Sequence, residues 1–184
     1  MAAAPDIARN LNRSVVGIHA ADILRVAAWV KQHLGAAPLA TIATGQLHSA
    51  ALHAALLSTG EDQSAATAVG ALALVGNTAS YEEITTSLLY AQDAEWSFIF
   101  NVLEHYDLPD LSAALAEAGT TSQLIYGPVD ALNRELNASS VAQCFAFADL
   151  TSKKVGGRAK FAATASGPEG LSAAILEFLA EQLT

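Results

Sequence analysis

TIATGQLHSAALHAALL, residues 41–57, passes from a strand through a tight turn into a helix. The apolar run Leu39–Ala43 behind Pro38 is short, as strands are, and a turn of small residues, Thr44-Gly45, closes it. From Gln46 to Leu57, Ala and Leu return at packing spacing, and Ser58-Thr59-Gly60 stops the helix. A strand that feeds a helix in this way is half of a βαβ unit, which points to an α/β fold.

Upstream, Ile18, Ala21, Leu24, Ala28, Trp29 and Leu34 mark one face of an amphipathic helix, ended by Gly35. Downstream, the polar segment EDQSAAT leads to Val69–Val75, an apolar run with the length of a buried parallel strand. Residues 76–108 predict two short helical pieces and a cluster of aromatics. Helices follow at Asp110–Ala118 and Ala131–Asn137, with strands at Thr121–Tyr126, Phe145–Leu150 and Ala159–Thr164. Leu171–Leu183 reads as an amphipathic terminal helix opened by Pro168-Glu169-Gly170. The expectation is one α/β domain over residues 1–184: a three-layer sandwich with a short, mostly parallel sheet, a flexible start at 1–12 and a cap-like insert at 76–108.

Composition narrows the function. At 184 residues the chain can bury a full core, and 52% of it is hydrophobic against 15% charged, with mean hydropathy +0.33. The net charge of −9 argues against nucleic acid and anionic lipid as partners. Four of the nine cations fall in TSKKVGGRAK, read as a solvated loop around Gly156-Gly157. No run reaches the length of a membrane helix, and no secretory signal opens the chain, so a soluble protein is expected, cytoplasmic as written. The one cysteine, Cys144, lies in the apolar run VAQCFAFA and reads as a buried, unreactive thiol.

Three stretches resemble acetyl-xylan-esterase-like proteins of the α/β-hydrolase superfamily, specifically their degenerate C-terminal half. SVVGIHAADILRVAAWVKQ resembles the helix before the nucleophile strand, and ALHAALL the helix after the elbow. SYEEITTSLLY…VLEHYDLPDLSAALAEAG…LIYGPVDALNREL resembles the segment from cap to acid-bearing strand, with HYDLPDLSAALA its most specific part. Nothing before Asn12 matches the opening strands of that fold, so the resemblance implies a fragment or one piece of a composite protein. Its unpaired sheet edge implies a homo-oligomer or association with a missing hydrolase half. A small ester or carbohydrate is the implied ligand.

In an active member the turn reads G-x-S-x-G, with the serine on a strained corner. Here it reads Ala43-Thr44-Gly45-Gln46-Leu47, which puts Gly45 in the nucleophile slot. Thr44 and Ser49 are the nearby hydroxyls, and Ser49 is the candidate if chemistry survives. Asp130 falls where the triad acid would; it also suits the N-cap of a helix from Ala131, which the absent triad favours. The base should follow the acid, yet His19, His33, His48, His53 and His105 all precede Asp130. His48 and His53 are five apart, off the i, i+4 metal spacing. His105, Asp107 and Asp110 read as a capped loop-to-helix junction, and neither metal nor cofactor is expected. The implied function is a non-catalytic structural or binding module. The alternative is an esterase of small esters with an atypical or subunit-shared site.

Overall fold

Ser14 begins helix α1 (Val15–Leu34) by accepting a hydrogen bond from the Gly17 N–H at 3.3 Å. The computed structural model describes residues 13–35, 38–60, 69–156, 159–165 and 170–182, together with Ala8. The expectations for the rest of 1–12, for the 61–67 linker and for Pro168-Glu169 lie outside these residues. After α1 come β1 (Ala40–Thr44), a 3-10 turn (Gly45–Leu47), α2 (His48–Leu57) and β2 (Ala71–Val75). The insert holds α3 (Tyr81–Thr86) and 3-10 turns at Gln92–Ser97 and Val102–Glu104. The chain continues through α4 (Leu108–Ala118), β3 (Ser122–Tyr126), α5 (Ala138–Cys144), α6 (Ala146–Val155), β4 (Phe161–Thr164) and α7 (Leu171–Gln182).

The four strands are all parallel and stand in chain order, β1-β2-β3-β4. Sequential parallel strands put their crossover helices on one face. Period-two alternation divides the side chains accordingly. Ala43, Leu72, Leu74 and Ile125 meet Leu52 of α2, Leu111 and Leu115 of α4, and Phe145 on that face. Ala71, Ala73, Leu124 and Tyr126 turn the other way and meet Phe178 of α7. Helix, sheet and helix make the three layers. α1 lies on α2, where Val16 and Ala20 pack against Ala50 and Ala54; alanines at the contact let the two backbones approach closely.

The junction HYDLPD forms as read, with both acids at work. Asp107 caps α4, and the Asp110 carboxylate accepts from the Asp107 N–H at 2.9 Å, which closes a capping box. Asp107 also accepts from the Tyr81 N–H at 2.7 Å and from the Ser80 hydroxyl, so one carboxylate holds the starts of α3 and α4.

Two expected elements differ. Residues 145–150 are helical, not a strand: the buried positions Val141, Phe145 and Ala148 recur at intervals of four and three, while Phe147 and Leu150 are exposed. Residues 131–137 form a loop, not a helix. Asn133 takes φ 60, Val129 bridges Glu135 antiparallel, and the Asp130 N–H donates to the Arg134 carbonyl at 2.8 Å. Lys153 and Lys154, expected in a loop, close α6, where positive charge suits the carbonyl end of the dipole.

Candidate functional site

Ligands of open parallel sheets gather at the carboxyl ends of the strands. Three glycines stand there in register. Thr44, Val75 and Tyr126 are aligned across the sheet, and each is followed by a glycine at left-handed φ: Gly45 at 58°, Gly76 at 61° and Gly127 at 59°. Such torsions disfavour any residue with a Cβ, which accounts for glycine at the three turns. At Gly45 a Cβ would meet nothing within 4 Å. The position is thus a sharp, open corner between strand and helix, with no side chain on it.

A cavity of about 150 Å³ lies at this edge, lined by Gly45, His48, Gly76, Thr78, Ser97 and Val129 among others. It is well below the 300–1,000 Å³ of usual small-molecule sites. The described strand order has no reversal, so it opens no switch-point crevice to enlarge it. His48 is buried there, and its Nδ1 donates to the Gly45 carbonyl at 2.5 Å, pinning the turn to the helix.

The other candidate residues are occupied elsewhere. Ser49 is 0% exposed, and its hydroxyl pairs with the Tyr81 hydroxyl inside the core, so it does not reach the open corner. Burial drives the Tyr81 phenol far above its ordinary pKa, only partly opposed by the Ser49 bond. Asp130 stands beside the cavity, after Val129, but it is not the N-cap of a helix. Its carboxylate accepts from the Leu132 N–H at 2.8 Å and the Arg134 N–H at 2.9 Å, and it pairs with the Arg134 guanidinium at 2.6 Å. Partial desolvation pushes this carboxyl up, yet the bonds from Arg134 and Leu132 outweigh it and the net shift is downward. Asp130 is a loop brace whose oxygens are taken.

No protein-family model, curated protein or solved structure matches the chain. The site therefore has to be read from its own geometry.

His53 shows how the remaining polar groups are spent. Its Nδ1 donates to the Ser49 carbonyl at 2.7 Å, and its Nε2 accepts from the Tyr106 hydroxyl at 2.9 Å. Desolvation lowers its pKa against a raising contribution from the Ser49 carbonyl, which favours the neutral ring. Cys144 is half-buried; burial first, then the charges of Asp107 and Glu83, push its thiol up to about 12, so it is protonated and inert at neutral pH. Among the described residues no group of three or more His, Cys, Asp or Glu is placed to hold a metal, and no helix is long and apolar enough to cross a membrane.

Sequence reasoning missed Tyr81, Tyr106 and Arg134 as the partners of Ser49, His53 and Asp130. Only Arg134 left a local signal, a base four residues after the acid. The two tyrosines lie 32 and 53 residues from their partners, beyond any periodicity.

Proposed function

We propose that the chain is a non-catalytic α/β-hydrolase-like domain of the acetyl-xylan-esterase-like group, acting as a structural or binding module. Gly45 carries the reading. It occupies an open, left-handed corner at the end of β1, where a nucleophile would project, and it has no side chain. The nearest acid, Asp130, is closed off by Arg134, and Ser49 is buried.

Association goes through β1. It is an edge strand of a parallel sheet, paired only with β2 among the described strands, and it presents Ala-Thr-Ile-Ala-Thr without a charge or proline to blunt it. Ile42 is 48% exposed on the sheet face that α7 leaves open at this end. A second copy joining edge to edge would cover both.

Hydrolysis of p-nitrophenyl acetate and light scattering test the proposal together. The expected results are ester turnover no faster than buffer, and a dimer that the Ile42→Lys variant splits. Turnover that persists through purification and disappears in Asp130→Ala or Ser49→Ala would overturn the first part. A monomer at every concentration would overturn the second.

A further inference from the structure

The insert and the start of α1 enclose a groove of about 1,040 Å³ that the reading above leaves without a role. Its lining includes Tyr81, Tyr90, Phe98, Phe100 and Leu103, together with the charged Glu95, Glu104 and Arg13. Tyr90 meets Phe98 edge-to-face with centroids 6.2 Å apart, so the aromatic floor is packed and preformed. Three of its lining side chains are apolar and exposed: Phe100 at 83%, Tyr90 at 45% and Leu103 at 42%. Single exposed apolar side chains are ordinary, but a run of them around a groove marks a surface to be covered.

Charge identifies what covers it. The 102 residues between Lys31 and Arg134 hold eleven Asp and Glu and no Lys or Arg. The whole insert falls in that stretch, and its Glu82, Glu95 and Glu104 are exposed. At this face like charge opposes a second copy, because the insert's acids would meet acids, whereas the β1 edge Ala-Thr-Ile-Ala-Thr carries no charge. Four of the chain's own bases are already engaged: Arg25 with Asp22, Arg134 with Asp130, Lys153 with Asp149 and Lys160 with Glu181. An anionic lipid surface is repelled for the same reason. The volume is at the top of the range for small ligands, which fits a length of polypeptide better than a compact molecule.

We propose that this groove docks a cationic polypeptide segment bearing aliphatic side chains. The aliphatic groups enter between Phe98, Phe100 and Leu103. The basic groups meet Glu95 and Glu104 and the faces of the aromatic rings.

The test is fluorescence anisotropy of the purified chain with a fluorescein-labelled peptide of Lys-Leu-Leu-Lys repeats. Saturable one-to-one binding is expected, weakening as salt rises. It should fall about tenfold or more in the Glu95→Lys/Glu104→Lys double variant and in Phe100→Ser. Phe100 is exposed, so circular dichroism should show that variant folded, and Leu103→Ser gives a second check. Glu117→Lys makes half of the double variant's change in net charge, away from the groove, and should leave binding intact. So should Ile42→Lys, which separates this site from the β1 edge. Absence of saturable binding, equal binding of a Glu-Leu-Leu-Glu peptide, or an equal loss in Glu117→Lys would overturn the proposal. A dimer that Phe100→Ser splits would overturn it too, by making the occupant a second copy.

Discussion

The Ser49 and Tyr81 hydroxyls are bonded to each other in the interior, joining α2 to the first residue of α3. Removing either one strands the other in the core. Ser49→Ala and Tyr81→Phe should each cost about 1–3 kcal/mol, the price of one unsatisfied buried hydroxyl. The double variant should cost clearly less than the sum, because no polar group is left behind. Urea denaturation of the four proteins measures this; strictly additive losses would show that the pair is not coupled.

Asp107 makes a larger prediction. It accepts from Tyr81, Glu82, Leu108 and Ser80, and it anchors the capping box of α4. Asp107→Ala should destabilise by roughly 2–4 kcal/mol, more than a single cap. Ser80→Ala removes one of these bonds and should cost about 1 kcal/mol. Thermal denaturation ranks them, and equal losses would refute the shared role of the carboxylate.

His53 gives a pH signature. Its folded pKa lies below the ordinary 6.5, so the unfolded chain binds the extra proton first as pH falls. Its contribution to stability is present above the unfolded value and is lost as pH falls through the folded one. In His53→Phe that part of the pH dependence should vanish, although the Tyr106 hydroxyl loses its partner. Urea midpoints across this range, wild type against variant, check it.

Asp130 and Glu83 are linked electrostatically. Burial first, then the Asp130 charge, raise the Glu83 carboxyl, while Arg134 lowers it. In Asp130→Asn the repulsion disappears and Arg134 remains, so Glu83 should titrate at lower pH. NMR of the carboxyl carbons reads this directly, and an unmoved Glu83 would rule out the coupling.

At Gly45 the space is open but the torsion is not. Gly45→Ala should fold with a loss of about 1–2 kcal/mol, all of it from the left-handed backbone. Gly45→Ser should fold equally well and still fail to cleave p-nitrophenyl acetate, since Asp130 is held by Arg134. Calorimetry and the ester assay report the two outcomes separately.

Legibility followed the range of the forces involved. Strand β1, its turn and α2 were readable because strand length, a glycine turn and helical packing are local signals. So was the cap at Asp107 and Asp110, three residues apart. The segment from Phe145 to Leu150 misled because a short, aromatic-rich apolar run suits a strand as well as a helix; its helical spacing of buried positions shows only with Val141 in view. The Asp130 loop misled because an acid before Ala-Leu-Asn-Arg resembles a helix start, whereas Asn133 in the left-handed region ends any helix there. At the site, the empty corner at Gly45 was legible. The burial of Ser49 was not, since Tyr81 reaches it from a distant segment.

The one-sided crossovers also set an order in time. β4 closes the sheet before α7 is made, so a growing chain completes its sheet while Ala71, Ala73, Leu124 and Tyr126 still have no cover. Until residues 171–182 emerge and fold back, a nascent chain displays a wet apolar face beside the open β1 edge. A chain at that stage exposes apolar surface that the finished molecule covers, and exposed surface of this kind favours aggregation.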